Sequence, residues 1–180
     1  MIRSPARVAL VALAAGILLC ACGSARAPHP NAVPSAPPGY QAEPHGHFGW
    51  VVPAGWQRES DPNDPGAQYY RDAAGRLQMY ASPAAGCGDP EEPEARLPRL
   101  VQSHAGAYRV EATTRLRVPN AAGGWRYDLS GADGRDHTFV NVWVAGSERL
   151  DASCDEELDL VINAPGDVAD TIVTTLAVAR

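Results

Sequence analysis

The residues of this chain that could exchange protons, attack a carbonyl or hold a metal are few and scattered. His45 and His47 form an H-x-H pair with Glu43 close by, a spacing that could hold a metal ion. They sit at the end of a proline-rich stretch, where ordering the side chains carries a high entropic cost, so no dedicated metal site is expected. His104 falls on the apolar face of a helical pattern and reads as a packed, hydrogen-bonded core residue. His137 follows a turn and is expected to be exposed. Asp61, Asn63 and Asp64 form one acidic cluster, and Asp155, Glu156 and Glu157 another. Calcium favours such oxygen ligands, but neither cluster has the spaced ligand loop of an EF-hand, and both read as solvated loops. G-x-S-x-G, H-E-x-x-H, phosphate-loop and G-x-G-x-x-G signatures do not occur. No catalytic residue, metal or cofactor is therefore assigned, and the chain is not expected to be an enzyme.

Four arginines are more suggestive. Arg109, Arg115, Arg117 and Arg126 fall on the polar side of two neighbouring strand patterns, interspersed with Glu111 and Asp128. A guanidinium is a planar fork suited to carboxylate or phosphate, so this face could bind an anion or a partner. The bland reading is cross-strand ion pairing or contact with a covering helix, and the sequence favours it.

Composition limits the rest. The chain has 180 residues, 45% of them hydrophobic, which is enough for one packed domain. All 15 basic residues are arginine, against 21 acidic residues, for a net charge of −6. That balance excludes a nucleic-acid binder, which needs a cationic surplus.

The N-terminus speaks of export. Arg3 and Arg7 precede an apolar run from Val8 to Leu19, too short to span a bilayer core of about 30 Å. The run ends in Leu19-Cys20-Ala21-Cys22-Gly23-Ser24, which resembles the bacterial lipobox. That resemblance implies a signal peptide at residues 1–21, its removal, and diacylation of Cys22. Two acyl chains suffice for stable attachment to a bilayer. Cleavage would leave 13 basic against 21 acidic residues, a net −8 that sets the body off from anionic headgroups. Residues 22–46 follow as a Pro/Ala-rich linker with Pro28, Pro30, Pro34, Pro37, Pro38 and Pro44, an extended spacer with a reach of roughly 70 Å. In an oxidising compartment the two remaining cysteines, Cys87 and Cys154, are expected to form a disulfide.

The folded part is expected at residues 47–180, as an α+β domain. Period-two patterns run through Phe48–Val52, Tyr108–Val118, Trp125–Leu129 and Leu158–Ile162, and Asp136–Ala145 is apolar on both faces, as a central strand would be. Hairpin signals stand at Asp72–Gly75 and Asp133-Gly134. Leu97, Leu100, Val101, His104, Ala105 and Tyr108 mark one face of a helix within Glu91–Tyr108. Val168, Ile172, Val173 and Leu176 mark a second, with Asp167 as its expected cap. The expectation is an antiparallel sheet flanked by two helices.

Phe48-Gly-Trp-Val-Val-Pro-Ala-Gly-Trp56, the Tyr-Arg-Asp-x-x-Gly-Arg hairpin at Tyr70–Arg76 and the closing strand and helix at Leu158–Val178 resemble small actinobacterial lipoproteins with a PsbP-like α/β/α sandwich. The resemblance covers about three quarters of the chain, roughly His47 to Val178. It implies no shared catalytic residues and a role as an accessory or binding protein of exported complexes. The functional expectation is thus a lipoprotein on the extracytoplasmic face of the cell membrane. It would be a non-enzymatic binding or accessory domain for an envelope complex or wall component. Two alternatives stand beside it. A carrier of a lipid or other small apolar ligand would enclose a pocket lined by Trp50, Trp56, Trp125 or Trp143. An unrecognised hydrolase would set His104 or His137 in a cleft beside acids.

Overall fold

A computed structural model of the chain describes residues 32–64, 66–87, 107–144 and 154–179. The segment resembling a signal peptide, Cys22, His104 and nearly all of the helix expected at Glu91–Tyr108 lie outside the described residues. Tyr108, the last residue of that expected helix, instead begins a strand.

The described residues form ten strands and one helix: β1 Tyr40–His45, β2 Phe48–Pro53, β3 Gln57–Ser60, β4 Gln68–Arg71, β5 Leu77–Cys87, β6 Tyr108–Arg115, β7 Ala121–Gly131, β8 Asp136–Val144, β9 Cys154–Ile162, α1 Gly166–Thr174 and β10 Ala177–Val178. The larger sheet has seven strands in the order β3-β4-β5-β9-β8-β7-β6, and the smaller has three in the order β1-β2-β10. Every pairing is antiparallel.

The expected α/β/α sandwich with a sheet between two helices is therefore wrong. The molecule is mostly β, with two sheets and, among the described residues, one helix. The physical reason lies in the second layer. The stretch read as linker carries β1, and the tail after α1 carries β10, and both pair with β2 to build a small sheet. Pro44 did not prevent this, because β1 is the edge of its sheet, where a missing N–H costs nothing. The folded unit accordingly begins before His47. Ala32 and Pro34 are also buried, and the Ala32 carbonyl lies so close over Gly49 that a Cβ there would collide with it.

Phe48, Trp50 and Val52 of β2 face the large sheet. They pack with Tyr70, Met79, Ala81, Val140, Val142, Leu158, Leu160 and Ile162, and α1 adds Ala169, Ile172 and Val173 to the same core. Asp167 does not cap α1; the cap position is Pro165 and no side chain bonds there, while Asp167 places its charge in the first turn. A second, smaller cluster of Tyr127, Leu129 and Phe139 lies on the opposite face of the large sheet, with Tyr108, Trp125 and Val161 around it.

A buried chain of hydrogen bonds ties the two sheets at one end. Trp50 Nε1 donates to the Tyr70 hydroxyl (3.2 Å), which donates to Gln68 Oε1 (2.7 Å); Gln68 Nε2 meets His45 Nδ1 at 3.2 Å. Beside it Glu43 accepts from Arg58 (3.0 Å) and Gln41 (3.1 Å). Burial, seconded by the Glu43 charge, pushes the Tyr70 hydroxyl well above its usual range, so it remains a donor. Burial, then the Arg58 charge, lowers the His45 pKa. The neutral ring is also what the geometry requires, since Nδ1 must accept from an amide.

Two outcomes follow. The folded state binds a proton at His45 less readily than the unfolded chain, whose histidines titrate near 6.5. The stability from this group is therefore full above that value and is lost as pH falls through and below it. Urea midpoints measured between pH 8 and 5 should show that slope, and His45→Gln should flatten it. The second outcome concerns Cys87, which the register sets directly opposite Cys154. Such partners have Cα atoms about 4.5–5.5 Å apart, within the span of a disulfide. The intact protein should be about 2 Da lighter before reduction than after it, and Cys87→Ser should cost on the order of 4 kcal/mol.

Candidate functional site

The four arginines singled out by sequence do not share a face. β6 pairs with β7 at Arg109↔Ser130 and Val110↔Leu129, then resumes at Ala112↔Asp128 and Arg115↔Trp125. Glu111 is thus an inserted bulge residue, and a one-residue insertion exchanges the two sides of everything beyond it. Arg109 and Arg126 stay on the side facing α1, and Arg115 passes to the other side with Trp125.

Arg109 and Arg126 are committed to ion pairs. Arg126 donates to Asp128 (2.8 Å) and to Asp170 of α1 (2.6 Å), tying the helix to the sheet. Arg109 pairs with Glu111 (2.6 Å), whose carboxylate also accepts from Ser130. The Ser130 hydrogen bond first, and Arg109 second, hold the Glu111 carboxyl below its ordinary pKa. Arg58, Arg71, Arg76 and Arg135 are likewise paired with carboxylates. Among the described residues Arg117 has no such partner, and it is exposed.

Arg115 is held differently. Its guanidinium carbon lies 4.8 Å from the ring centre of Trp125 and 5.0 Å from that of Trp143, so two indole rings position the cation. Gly123 makes this possible. A Cβ there would collide with the Trp143 ring and would stand 2.7 Å from Nη2 of Arg115. The neighbouring connection is shaped by Leu116 N–H donating to Gly124 O (2.8 Å) and by Asn120 at φ 67°, whose side-chain amide donates to Val178 O (2.9 Å). Leu116 and Val118 pack into the core from this connection, and Arg117 lies between them. The result is an open cleft of about 390 Å³ lined by Arg115, Leu116, Arg117, Val118, Ala121, Ala122 and Gly123. Two guanidiniums and no carboxylate line it, above a floor of small and aliphatic groups. Such a site can hold an anion and an apolar neighbour at once.

Sequence reading missed this cleft because Pro119–Gly124 falls between the Tyr108–Val118 and Trp125–Leu129 strand patterns and belongs to neither. β7 in fact starts at Ala121, and the signal was a Gly-Gly pair before Trp125, which in a strand marks close approach by other groups. Asn141 was also missed. It is fully buried in β8, its amide donates to Asp159 (2.8 Å), and its carbonyl oxygen finds no donor among the described residues.

The histidines serve structure. His45 and His47 do not converge: His45 meets Gln68, and His47 lies 3.1 Å from Glu156. His137 is buried rather than exposed. Its Nδ1 lies 2.7 Å from Asn163 Oδ1, its Nε2 3.4 Å from Asp133, and the Tyr108 ring abuts it edge-on. No group of three potential ligands is gathered for a metal among the described residues. Nor do the tryptophans line one pocket: Trp50 is inside the core between the sheets, whereas Trp125 and Trp143 flank Arg115 on the far side of the large sheet.

No family model matches the chain, and no curated protein matches it. It is similar to solved structures of the immunity protein TplEi of the T6SS from Pseudomonas aeruginosa. One is complexed with "L" peptide, at 17% identity, and one is the apo form, at 18%. Each match covers 80% of this chain, with a TM-score of 0.34. The chain spans about half the length of those proteins, 50% and 47%. A likeness of this degree carries no functional argument.

The close approach over Gly123 can be checked directly. Gly123→Ala should destabilise the fold by roughly 1–3 kcal/mol through overpacking against Trp143 and Arg115. Ala122→Ser, one residue away and exposed, should leave the urea midpoint unchanged.

Proposed function

We propose that this chain is a non-enzymatic binding domain, held on the outer face of the cell membrane by an acylated Cys22, that engages an envelope protein or a wall component. The cleft at Arg115 and Arg117 carries the reading. In a chain of net charge −6, six of the described arginines are spent on carboxylates within the fold, while Arg117, exposed in this cleft, has no such partner among the described residues. An exposed guanidinium such as that of Arg117 is suited to an anion from outside. The described histidines have structural partners: His45 meets Gln68, His47 meets Glu156 and His137 meets Asn163. The anchor is supported by the order of Arg3 and Arg7, the apolar run, Leu19, Ala21 and Cys22. The proline-rich sequence before Ala32 is of the kind that would let the domain reach away from the bilayer.

Two measurements in intact cells test this. Radioactive palmitate should label the wild-type protein and not Cys22→Ala; finding the chain in the cytosol with residues 1–21 still attached would overturn the anchor. A photo-crosslinking residue at Thr113, which is exposed beside the cleft, should capture the same envelope species in repeated preparations. The absence of any reproducible adduct would overturn the binding role.

A further inference from the structure

The chain joins the folded domain earlier than its prolines suggest. Ala32 is buried, its N–H donates to Gly46 O (3.2 Å), and its carbonyl and the Pro34 ring lie close over Gly49 of β2. The stretch is thereby fixed to the turn between β1 and β2. Ala32 is ten residues on from Cys22, and ten residues span at most about 36 Å in any conformation. That is about half the reach of a spacer running on to Gly46.

The turn that holds Ala32 belongs to a definite end of the molecule. His47 O accepts from Ala179 N (2.8 Å), and Val178 O accepts from the Asn120 side-chain amide (2.9 Å). A row of hydrogen bonds thus links Ala32, the β1–β2 turn, the end of β10 and the connection from Leu116 to Ala122. On that connection Arg117 is exposed without a carboxylate partner among the described residues, and Pro119, Asn120 and Ala122 are exposed beside it. Val33, next to Ala32, is 70% exposed. Glu156 reaches this end as well, but lies 3.1 Å from His47. The turns at Asp72–Gly75 and Asp133-Gly134 lie at the opposite end of the large sheet.

We propose that the end carrying Ala32 and Arg117 faces the bilayer, with the Arg117 guanidinium against a lipid headgroup phosphate. A compact domain of about 150 residues is about 40 Å across. For the opposite end to touch the bilayer, Ala32 would have to stand about that far above it, beyond the reach of the chain back to Cys22. The tethered end is therefore the one that meets the headgroups. A guanidinium suits their phosphates, and a cation near the surface offsets the repulsion between a net negative chain and anionic lipid. Val33, Pro119 and Ala122 add short apolar side chains that the headgroup layer accommodates. This inference rests on the anchored reading above. It names the anion at Arg117 as a lipid phosphate and places a protein partner captured from Thr113 at the bilayer surface.

The test uses the full acylated chain, purified in detergent and reconstituted into vesicles of phosphatidylcholine with one fifth phosphatidylglycerol. A share of the lipids carries a nitroxide quencher on the headgroup. A fluorescent amino acid replaces Ala122 in one preparation and Ala73 in another, both exposed and at opposite ends of the large sheet. Quenching at Ala122 should exceed that at Ala73 severalfold. Arg117→Gln should shift the docked-to-undocked ratio about fivefold towards undocked, as expected for one basic residue at an anionic surface. Arg109→Gln, at the far end and paired with Glu111, should leave the ratio unchanged. A chain that floats with the vesicles but is quenched equally at both positions, or more strongly at Ala73, would overturn the proposal and leave the anchor standing. So would an Arg117→Gln variant quenched like the wild type. A chain that carries no acyl group by mass and does not float would remove the anchor, and the proposal with it.

Discussion

One face of the seven-stranded sheet must be kept from water, and the architecture follows from how that is done. Tyr70, Met79, Ala81, Val140, Val142, Leu158, Leu160 and Ile162 together form an apolar surface too broad for a nine-residue helix to cover. Each such side chain contributes roughly 1.5–3 kcal/mol when buried, so the covering layer is worth assembling from distant pieces of chain. β1 and β2 come from one end of the domain and β10 from the other, and α1 fills the remainder. The hydrogen-bonded chain from Trp50 to His45 then fixes one end of the layer, and the Arg126–Asp170 pair fixes the helix. A covering layer gathered from both ends of the domain makes the fold depend on contacts of long sequence separation, which form late and at an entropic cost.

The same economy governs the charges. Six described arginines find a carboxylate, most of them nearby in the chain or across a strand, Arg58 on the other sheet and Arg126 on α1. Surface pairs of this kind contribute little to stability, about 0–1 kcal/mol each. Their consequence is electrostatic: they cancel the local fields of both partners. Among the described residues Arg117 is left exposed without such a carboxylate, so its field is not cancelled locally.

Much of this was legible in the sequence, and the failures share one cause. The hairpin turn at Asp72–Gly75, the turn at Asp133-Gly134 and the buried strand ending at Val144 are local signals, and the strands lie where those signals put them. The three-stranded layer was not legible. Tyr40–His45 contains a proline and alternates weakly, and it becomes a strand because β2 is beside it and the large sheet is beneath. Ala177–Val178 is two residues long and has no periodicity to read. At the site, the type of residue was informative and its side of the sheet was not. Arg109, Arg115, Arg117 and Arg126 look equivalent under strict alternation, and the inserted Glu111 cannot be recognised as an insertion until the partner strand is known.

That insertion also explains why the cleft falls where it does. Had β6 kept strict alternation from Arg109, Arg115 would lie on the α1 side among Arg126, Asp128 and Asp170, where a carboxylate is at hand. The bulge sends it instead to the side of Trp125 and Trp143, where a guanidinium can be held by ring faces over a strand stripped of side chains at Gly123. A bulge and a Gly-Gly pair are each mildly unfavourable for a sheet considered alone, whereas the two indoles suit strands. Their coincidence sets this cleft apart from an ordinary strand edge, because departures from local rules without compensating packing are expected to gather where function requires them.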